Sequence, residues 1–290
     1  MNQAACKRFL DLPPCPLEEA DAVILPVPLE KTVSYGTGTG RGPEAILEAS
    51  CQVEYFDEET LVDFSQSPRL HTLPPLSVDG DLEDELAALR DHVATLRDKF
   101  VLAVGGEHTI TYGTVTGLID DPAELTIVQI DAHADLIDEL AGRRLSHGTV
   151  MRRLREKGCR LVQIGVRSLD RSEYELADAD DRIETYYAHQ LDDRREELLA
   201  ALGGLRGKVY LSIDVDGLDP AVIPSTGTPQ PGGLSWRQAM QIIRRVASNR
   251  GCRLIGADVV EFIPSPHPPG CDLTAARLVM KVLGFWAEGS

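Results

Sequence analysis

Two short acidic segments contain the residues of this chain that are best suited to chemistry. Asp131, His133 and Asp135 alternate with alanines in the first segment. Asp214 and Asp216 flank a valine in the second. Each segment follows a short apolar run that is typical of a buried strand. Because side chains at positions i, i+2 and i+4 of an extended chain point to the same side, the members of each segment are predicted to converge at a strand end.

The carboxylates of these two segments create an electrostatic problem. Packed together, they would repel one another and raise each other's pKa values unless cations neutralised them. The pattern favours metal ions, two of them, as those cations. Carboxylate and imidazole ligands without thiolates suit Mn²⁺, Mg²⁺ or Fe²⁺, and less decisively Zn²⁺. Two ions about 3.5 Å apart can share a water molecule and lower its pKa, so hydrolysis of an unreactive polar carbon is the expected chemistry.

A third candidate ligand, His108, follows a pair of glycines after another apolar run. By itself it would be weak evidence, because an isolated histidine is more often a core or capping residue. In open parallel sheets, however, ligands bind at the carboxyl ends of strands. Three strand ends that each present a metal-binding group therefore predict one site at one edge of the sheet.

Short runs rich in valine, isoleucine and leucine are the strands that must position these residues. The runs span 22–27, 100–104, 125–130, 160–166, 209–213 and 253–260. Most are apolar throughout, as expected for strands that are buried on both faces. Helical patterns lie between them, over 81–99, over 148–157 and after Ser235, a candidate N-cap. The alternation predicts a single α/β domain over residues 1–290, with three α/β/α layers and a mostly parallel central sheet.

The overall composition narrows the class of partner. The 290 residues include 29 Lys and Arg against 46 Asp and Glu, which gives a formal net charge of −17. This acidity argues against nucleic acid or an anionic membrane as a partner and mildly favours cationic small molecules. The six cysteines are scattered, and no apolar run approaches the length of a membrane span. A cytoplasmic protein without a disulfide scaffold is therefore expected.

Several collinear motifs resemble those of the ureohydrolases, the family that contains arginase and agmatinase. Gly-Gly-Glu-His-Thr at 105–109, Asp-Ala-His-Ala-Asp at 131–135 and Ser-Ile-Asp-Val-Asp-Gly-Leu-Asp-Pro at 212–220 are similar to its three signature segments. The segments 224–234 and 258–261 also match, in order. The resemblance covers nearly the whole chain, looks strongest towards bacterial and archaeal agmatinases, and implies an arginase-like fold.

The resemblance implies a centre of two Mn²⁺ ions per chain and assigns its ligands. The implied metal ligands are His108, Asp131, His133, Asp135, Asp214 and Asp216. Asp131 and Asp214 would bridge the two ions. In the family, a hydroxide held between the metals attacks the guanidinium carbon, and urea and an amine are released. Glu261 would bind the guanidinium group. Asp135 would pass a proton to the leaving nitrogen, and His147 would act as the proton shuttle.

The sequence predicts which bond is hydrolysed more narrowly than it predicts the rest of the substrate. Arginases bind the α-amino and α-carboxylate groups through a polar segment containing Ser and Asn. The corresponding residues 136–146 contain no Asn and carry Asp138 and Glu139. Agmatine, hydrolysed to putrescine and urea, is therefore the preferred interpretation. Because agmatine is a dication, Asp138, Glu139 or Asp272 is predicted to contact its distal amine.

A second departure from the family begins at Glu261-Phe-Ile-Pro and continues through residues 265–272. This segment is expected to line the far end of the substrate, so N1-aminopropylagmatine, guanidinobutyrate, arginine and formiminoglutamate stay open as alternatives. A guanidino acid would need a cation, which Arg143 or Arg144 could supply. A non-catalytic relative is disfavoured, because every ligand position is present. By resemblance only, a homo-oligomer, either a trimer or a hexamer, is expected.

Overall fold

The computed structural model describes residues 8–265 and 270–290, and their fold is built on one eight-stranded sheet. The strands are β1 (Ala22–Val27), β2 (Leu70–Thr72), β3 (Phe100–Gly105), β4 (Leu125–Ile130), β5 (Arg160–Val166), β6 (Ile183–Tyr187), β7 (Gly207–Asp214) and β8 (Cys252–Val260). Their order across the sheet is β2-β1-β3-β8-β7-β4-β5-β6. Every neighbouring pair is parallel.

Helices cover both faces of this sheet. They are α1 (Gly42–Ser50), α2 (Leu82–Ala94), α3 (Ile110–Leu118), α4 (Val150–Glu156), α5 (Arg171–Ala179), α6 (Arg195–Gly204), α7 (Trp236–Ala247) and α8 (Cys271–Gly289). One hydrophobic core joins the sheet to α1, α6, α7 and α8, and a second joins it to α2, α3, α4 and α5. The predicted three-layer α/β/α fold with a parallel sheet is therefore confirmed.

The strands that precede the acidic segments form the centre of the sheet. In the order β3-β8-β7-β4, four strands lie side by side and run in the same direction. Their carboxyl ends are level, because Val104 of β3 pairs with Val259 of β8 and Ile213 of β7 pairs with Ile130 of β4. Whatever follows these strands in the sequence must therefore meet at one edge of the sheet.

Two predicted helices differ from the sequence pattern at their ends. The helix expected over 81–99 ends at Ala94, and Asp81 at its N-cap makes no capping hydrogen bond through its side chain. The helix expected over 148–157 begins at Val150, after one 3₁₀ turn over His147–Thr149. Ser235 caps α7 as predicted, since its hydroxyl accepts a hydrogen bond from the Gln238 N–H.

Two further expectations were the lack of a disulfide scaffold and the lack of a membrane span. Cys51 is disulfide-bonded, although the sequence analysis expected no disulfide framework. Cys15, Cys159, Cys252 and Cys271 are free thiols. Within the described residues, no helix combines the length and the apolar character needed to cross a bilayer.

Candidate metal centre

The predicted metal ligands converge at the carboxyl ends of β3, β4 and β7. Two groups of side chains in the described structure are arranged so that their ligand atoms lie within 4.8 Å of one another. One group contains His108, Asp131 and Asp135. The other contains Asp131, His133 and Asp216. Two adjacent groups that share one aspartate are the arrangement expected for a binuclear site.

Asp131 is the residue that the two groups share. Its Oδ2 atom lies 3.2 Å from Nδ1 of His108, and its Oδ1 atom lies 3.6 Å from Nδ1 of His133. The two oxygens of one carboxylate therefore face different imidazoles, as a bridging ligand requires. Asp214 joins the first group, with its Oδ2 atom 3.6 Å from Nδ1 of His108. Asp216 joins the second group, with its Oδ2 atom 3.0 Å from Nδ1 of His133.

The backbone brings Asp135 to the site in a way that the sequence argument did not anticipate. An extended segment was expected here, but β4 ends at Ile130. Asp135 itself has a left-handed backbone with φ 54°. This conformation is uncommon for any residue other than glycine and often marks functional sites. Asp135 Oδ2 nevertheless lies 2.8 Å from Nδ1 of His108, so Asp135 reaches the cluster through a left-handed turn and not through strand alternation.

A buried hydrogen-bond chain fixes the orientation of the His108 imidazole. Its Nε2 atom lies 2.8 Å from the hydroxyl of Ser212. That hydroxyl donates its only proton to Asp258 at 2.7 Å. Ser212 can therefore only accept from His108, so in the neutral ring the proton lies on Nε2 and the lone pair on Nδ1. A partner that fixes the tautomer of a ligating histidine is typical of metal sites.

The Nδ1 atom of His108 provides the test of whether these residues fit a metal ion. It is buried and has no hydrogen-bond partner in the described structure. Its lone pair faces the carboxylates of Asp131 and Asp135, which is repulsive unless a cation lies between them. Burial alone would lower the pKa of His108, but these two carboxylates raise that pKa well above its ordinary value. The site therefore demands positive charge at this point, and a metal ion with nitrogen and oxygen ligands meets that demand.

The carboxylates of the cluster also require a nearby positive charge. Burial, together with the charge of Asp131, raises the pKa of Asp135 to about 7. Burial, together with the charges of Asp216 and Asp131, raises the pKa of Asp214 well above its ordinary value. Without a bound cation, the cluster cannot keep all its carboxylates ionised at neutral pH. This is the electrostatic problem that the sequence predicted.

Glu261 and His147 lie on the wall of the cavity that opens over these ligands. Glu261 follows β8 with a left-handed φ of 64°. Its Oε1 atom accepts a hydrogen bond from the His108 N–H at 2.7 Å, and burial raises its pKa to about 8. His147 is held between Thr32 and Ser34, with its Nε2 atom 2.9 Å from the Ser34 hydroxyl. Burial lowers the pKa of His147.

The rest of the cavity lining contains apolar and acidic side chains. Its volume is about 270 Å³. The apolar part of its lining includes Val33, Ile137, Leu140 and Leu169. Beyond the residues already described, Asp170 and Glu173 add acidic groups. Within the described part of the chain, no lysine or arginine lines the cavity.

The three acidic residues proposed to contact the substrate lie outside this lining. Asp138 turns towards α4, where its Oδ1 atom lies 2.6 Å from Arg153 and 3.4 Å from Arg152. Glu139 is exposed on the same loop. Asp272 lies in the first turn of α8. The arginines of α4 account for the position of the Asp138 carboxylate, because they pair with it.

Two further expectations concern the distal end of the site. One is a cation supplied by Arg143 or Arg144, and the other is a lining formed by residues 265–272. Arg143 and Arg144 do not line the cavity, and Arg144 instead lies 3.8 Å from Asp138. The expectation that residues 265–272 line the far end falls partly outside the described residues, because 266–269 are not among them.

Asp170 and Glu173 are acidic cavity residues that the sequence analysis missed. They form a capping box at the start of α5. Glu173 accepts hydrogen bonds from the Leu136 N–H at 2.8 Å and from the Asp170 N–H at 2.7 Å, and thereby ties the loop after Asp135 to α5. The capping-box pattern Asp-x-x-Glu after β5 was visible in the sequence. Its position beside the cavity was not.

Comparisons with known proteins agree with this geometry. Residues 20–284 match the family described as the arginase family. The chain is 35% identical to the N(1)-aminopropylagmatine ureohydrolase of Synechocystis sp., over 93% of this chain and 90% of that protein. It is 36% identical to the protein of the same name from Thermus thermophilus, over 93% and 92%. The crystal structure of agmatine ureohydrolase of Thermoplasma volcanium superposes with a TM-score of 0.84 at 27% identity, covering 94% of this chain and 92% of that one.

Proposed function

The chain belongs to the arginase family, and on this premise we propose that it is a manganese ureohydrolase of a cationic guanidino amine. As a member of that family it is a metal-dependent hydrolase that acts on guanidino compounds. The proposal concerns the ion and the substrate. N1-aminopropylagmatine is the first candidate and agmatine is the second.

The charge of the cavity wall is the observation that carries the substrate class. Asp170 and Glu173 stand beside the apolar wall, and no described lysine or arginine lines the cavity. Arginine, guanidinobutyrate and formiminoglutamate each carry a carboxylate, which would meet these acidic groups without a compensating cation. A substrate with an amine at its distal end would instead be attracted.

The ranking of N1-aminopropylagmatine before agmatine follows from the sequence identity of the relatives. Proteins named N(1)-aminopropylagmatine ureohydrolase match this chain at 35% and 36% identity, whereas the agmatinase of Pyrococcus horikoshii matches at 29%. Agmatine, the preferred substrate in the sequence analysis, is therefore placed second. Agmatine stays a candidate because it has the same guanidino group and a distal amine.

The chain's own residues can be assigned roles around the guanidino group. Glu261 would accept hydrogen bonds from the guanidinium and hold its plane. When bound, the two ions proposed as Mn²⁺ supply Lewis acidity and lower the pKa of water towards neutrality. The bond between the guanidinium carbon and the alkyl nitrogen breaks, water provides the oxygen of urea, and the leaving nitrogen takes up a proton. Asp135 and His147 are the groups proposed to deliver it.

The assay that tests this proposal is urea release by the Mn²⁺-loaded protein from N1-aminopropylagmatine, with detection of one amine product per urea. We expect turnover that chelation abolishes and Mn²⁺ restores. Asp131→Ala should bind neither ion tightly and should lose turnover by at least about 10³-fold, because one carboxylate faces both groups of ligands. The exposed Asp91→Ala serves as the matched control. Absence of turnover on both amines would contradict the proposal.

Three broader proposals depend on the family and the composition. We propose that residues 1–290 form a single domain, that the protein is a homo-oligomer, either a trimer or a hexamer, and that it works in the cytoplasm, in polyamine biosynthesis. The acidic net charge of −17 supports a partner that is a small cation and argues against nucleic acid.

A further inference from the structure

Glu107 is a buried carboxylate to which the proposed chemistry gives no role. Both of its oxygens are used as acceptors. Its Oε2 atom accepts from the backbone N–H groups of Lys31 and Thr32 at 2.5 and 2.6 Å. Its Oε1 atom accepts from the hydroxyls of Thr32 at 2.8 Å and Thr109 at 2.6 Å. A carboxylate with four donors around it holds the loop after β1 firmly against the start of α3.

The hydroxyl of Thr32 connects this carboxylate to His147. It accepts a hydrogen bond from the His147 backbone N–H at 3.1 Å. The same oxygen lies 3.1 Å from Nδ1 of the His147 ring. Thr32 has one proton to donate, and the carboxylate of Glu107 is a stronger acceptor than a neutral imidazole nitrogen. The oxygen of Thr32 is therefore left to accept from the ring.

We propose that Glu107 and Thr32 are positioning residues that hold neutral His147 in the tautomer with its proton on Nδ1. Nε2 is then the atom that exchanges protons with the cavity. The inference rests on the proposed function, because it assigns the active nitrogen of the proposed proton shuttle. Glu107 and Thr32 act through His147 and do not touch the reacting atoms.

The surroundings of His147 agree with this assignment. Its Nε2 atom lies 2.9 Å from the hydroxyl of Ser34, an exposed residue of the cavity wall. A proton taken up at Nε2 can thus be passed to the leaving amine or exchanged with solvent through Ser34. The carboxylate of Glu107 is a negatively charged group that acts on the ring, and it raises the pKa of His147 against the effect of burial. Glu107 is connected to Nδ1 through the hydroxyl of Thr32, which donates to Glu107 and accepts from the ring.

The tautomer can be measured directly in the wild-type protein. The probe is ¹⁵N NMR of the histidine rings in protein loaded with diamagnetic Mg²⁺, at a pH at which His147 is neutral, with His147→Ala used to assign the signals. We expect Nδ1 to carry the proton and Nε2 to have the downfield shift of an unprotonated nitrogen. A proton on Nε2 instead would overturn the proposal, whether or not the enzyme acts on the proposed substrate.

Two substitutions at Thr32 test the functional consequence. Thr32→Val removes the hydroxyl and keeps the shape and the backbone contact with Glu107. We expect kcat to fall on the order of 10- to 100-fold with KM nearly unchanged, since misplaced acid–base catalysis affects the chemical step. Thr32→Ser restores the hydroxyl and should restore most of kcat. Equal losses in the two variants would contradict a role for the hydroxyl.

Thr109→Val is the matched control, because Thr109 donates to the same Glu107 oxygen and makes no hydrogen bond with His147 in the described structure. We expect this variant to retain far more of kcat than Thr32→Val at equal metal content. A kcat loss as large as that of Thr32→Val would overturn the proposal. Lack of urea release by the wild-type protein would count against the proposed function, and the tautomer measurement would still decide this inference.

Discussion

At the scale of single residues, the site contains two kinds of carboxylate that differ in burial. Asp135 and Asp214 are buried, and burial with neighbouring charge raises their pKa values, so they need a cation to stay ionised. Asp170 is exposed at the cavity wall and needs none. The buried carboxylates are therefore suited to hold metal ions, and the exposed one to attract the distal amine of a substrate.

Asp170→Asn tests the role of the exposed carboxylate. Asn is as good an N-cap as Asp, so α5 should keep its start. We expect KM for the cationic amines to rise roughly tenfold, equivalent to about 1.4 kcal/mol, while kcat changes little. Glu139→Gln removes the same charge from a residue outside the cavity and should leave KM unchanged. A KM increase for Glu139→Gln alone would favour the sequence-based prediction instead.

Residue types predicted which side chains would come together, but they did not reveal how the chain presents them. Aspartate and histidine at alternating positions were sufficient to predict that these side chains cluster at one edge of the sheet. The left-handed backbones of Asp135 and Glu261 have no cue in the sequence, because neither residue is glycine. The three-arginine surroundings of Asp138 were equally hidden, since two of those arginines, Arg152 and Arg153, belong to the following helix. Side-chain direction in loops depends on tertiary contacts that spacing does not encode.

At the scale of elements, central strands were predictable and edge strands were not. The runs that became β1, β4 and β5 match their strands to the residue. They are apolar because both of their faces are covered by helices. The missed strands are β2, which has only three residues, and β6, which is only partly buried. Both lie at the edges of the sheet, where burial on two faces is not required.

Two central strands and one helix also supply support behind the candidate metal ligand His108. Ser212 and Tyr210 of β7 and Thr111 of α3 all donate hydrogen bonds to Asp258 of β8. Asp258 is completely buried. Through Ser212 this network reaches His108, so the packing of β7 against β8 determines which nitrogen of that histidine faces the carboxylate cluster.

Asp258→Asn should weaken this support without removing a ligand. An amide in place of the carboxylate can donate to Ser212, which then no longer needs to accept from His108. We expect metal affinity to fall by about 10- to 100-fold, the usual effect of losing an outer partner of a ligand, as measured by titration with Mn²⁺. Tyr210→Phe removes one donor to Asp258 but leaves Ser212 in place, and its effect should be clearly smaller. Equal effects would argue against the orienting role.

At the scale of the whole molecule, metal binding and stability are linked. The site joins loops that follow β3, β4 and β7, so its ions bind the folded chain and not the unfolded one. Mn²⁺ at a hundred times its dissociation constant should stabilise the fold by about 2.7 kcal/mol per site. Chelation should therefore lower the melting temperature by several degrees, and Mn²⁺ should restore it. An unchanged melting temperature would contradict a metal site in these loops.

The pH dependence of the chelated protein should follow from its raised pKa values. The pKa of Asp135 moves from an ordinary 3.8 to about 7 on folding, because of burial and of the charge of Asp131. A group that binds its proton more tightly when folded contributes stability at low pH and loses it as pH rises through the folded value. The raised pKa of His108 acts in the same direction. The melting temperature of the chelated protein should fall as the pH rises from about 5 to about 8. Bound Mn²⁺ should make this dependence weaker.

The measurement that tests the central claim most directly is kcat/KM of the Mn²⁺-loaded enzyme across N1-aminopropylagmatine, agmatine, arginine and guanidinobutyrate. The four compounds share the guanidino group and differ in the charge at the other end. We predict that kcat/KM for each amine exceeds that for arginine and for guanidinobutyrate by at least about a hundredfold. The reason is that a substrate carboxylate which is buried or unpaired is unfavourable beside Asp170 and Glu173. A higher value for arginine or guanidinobutyrate than for either amine would contradict the account.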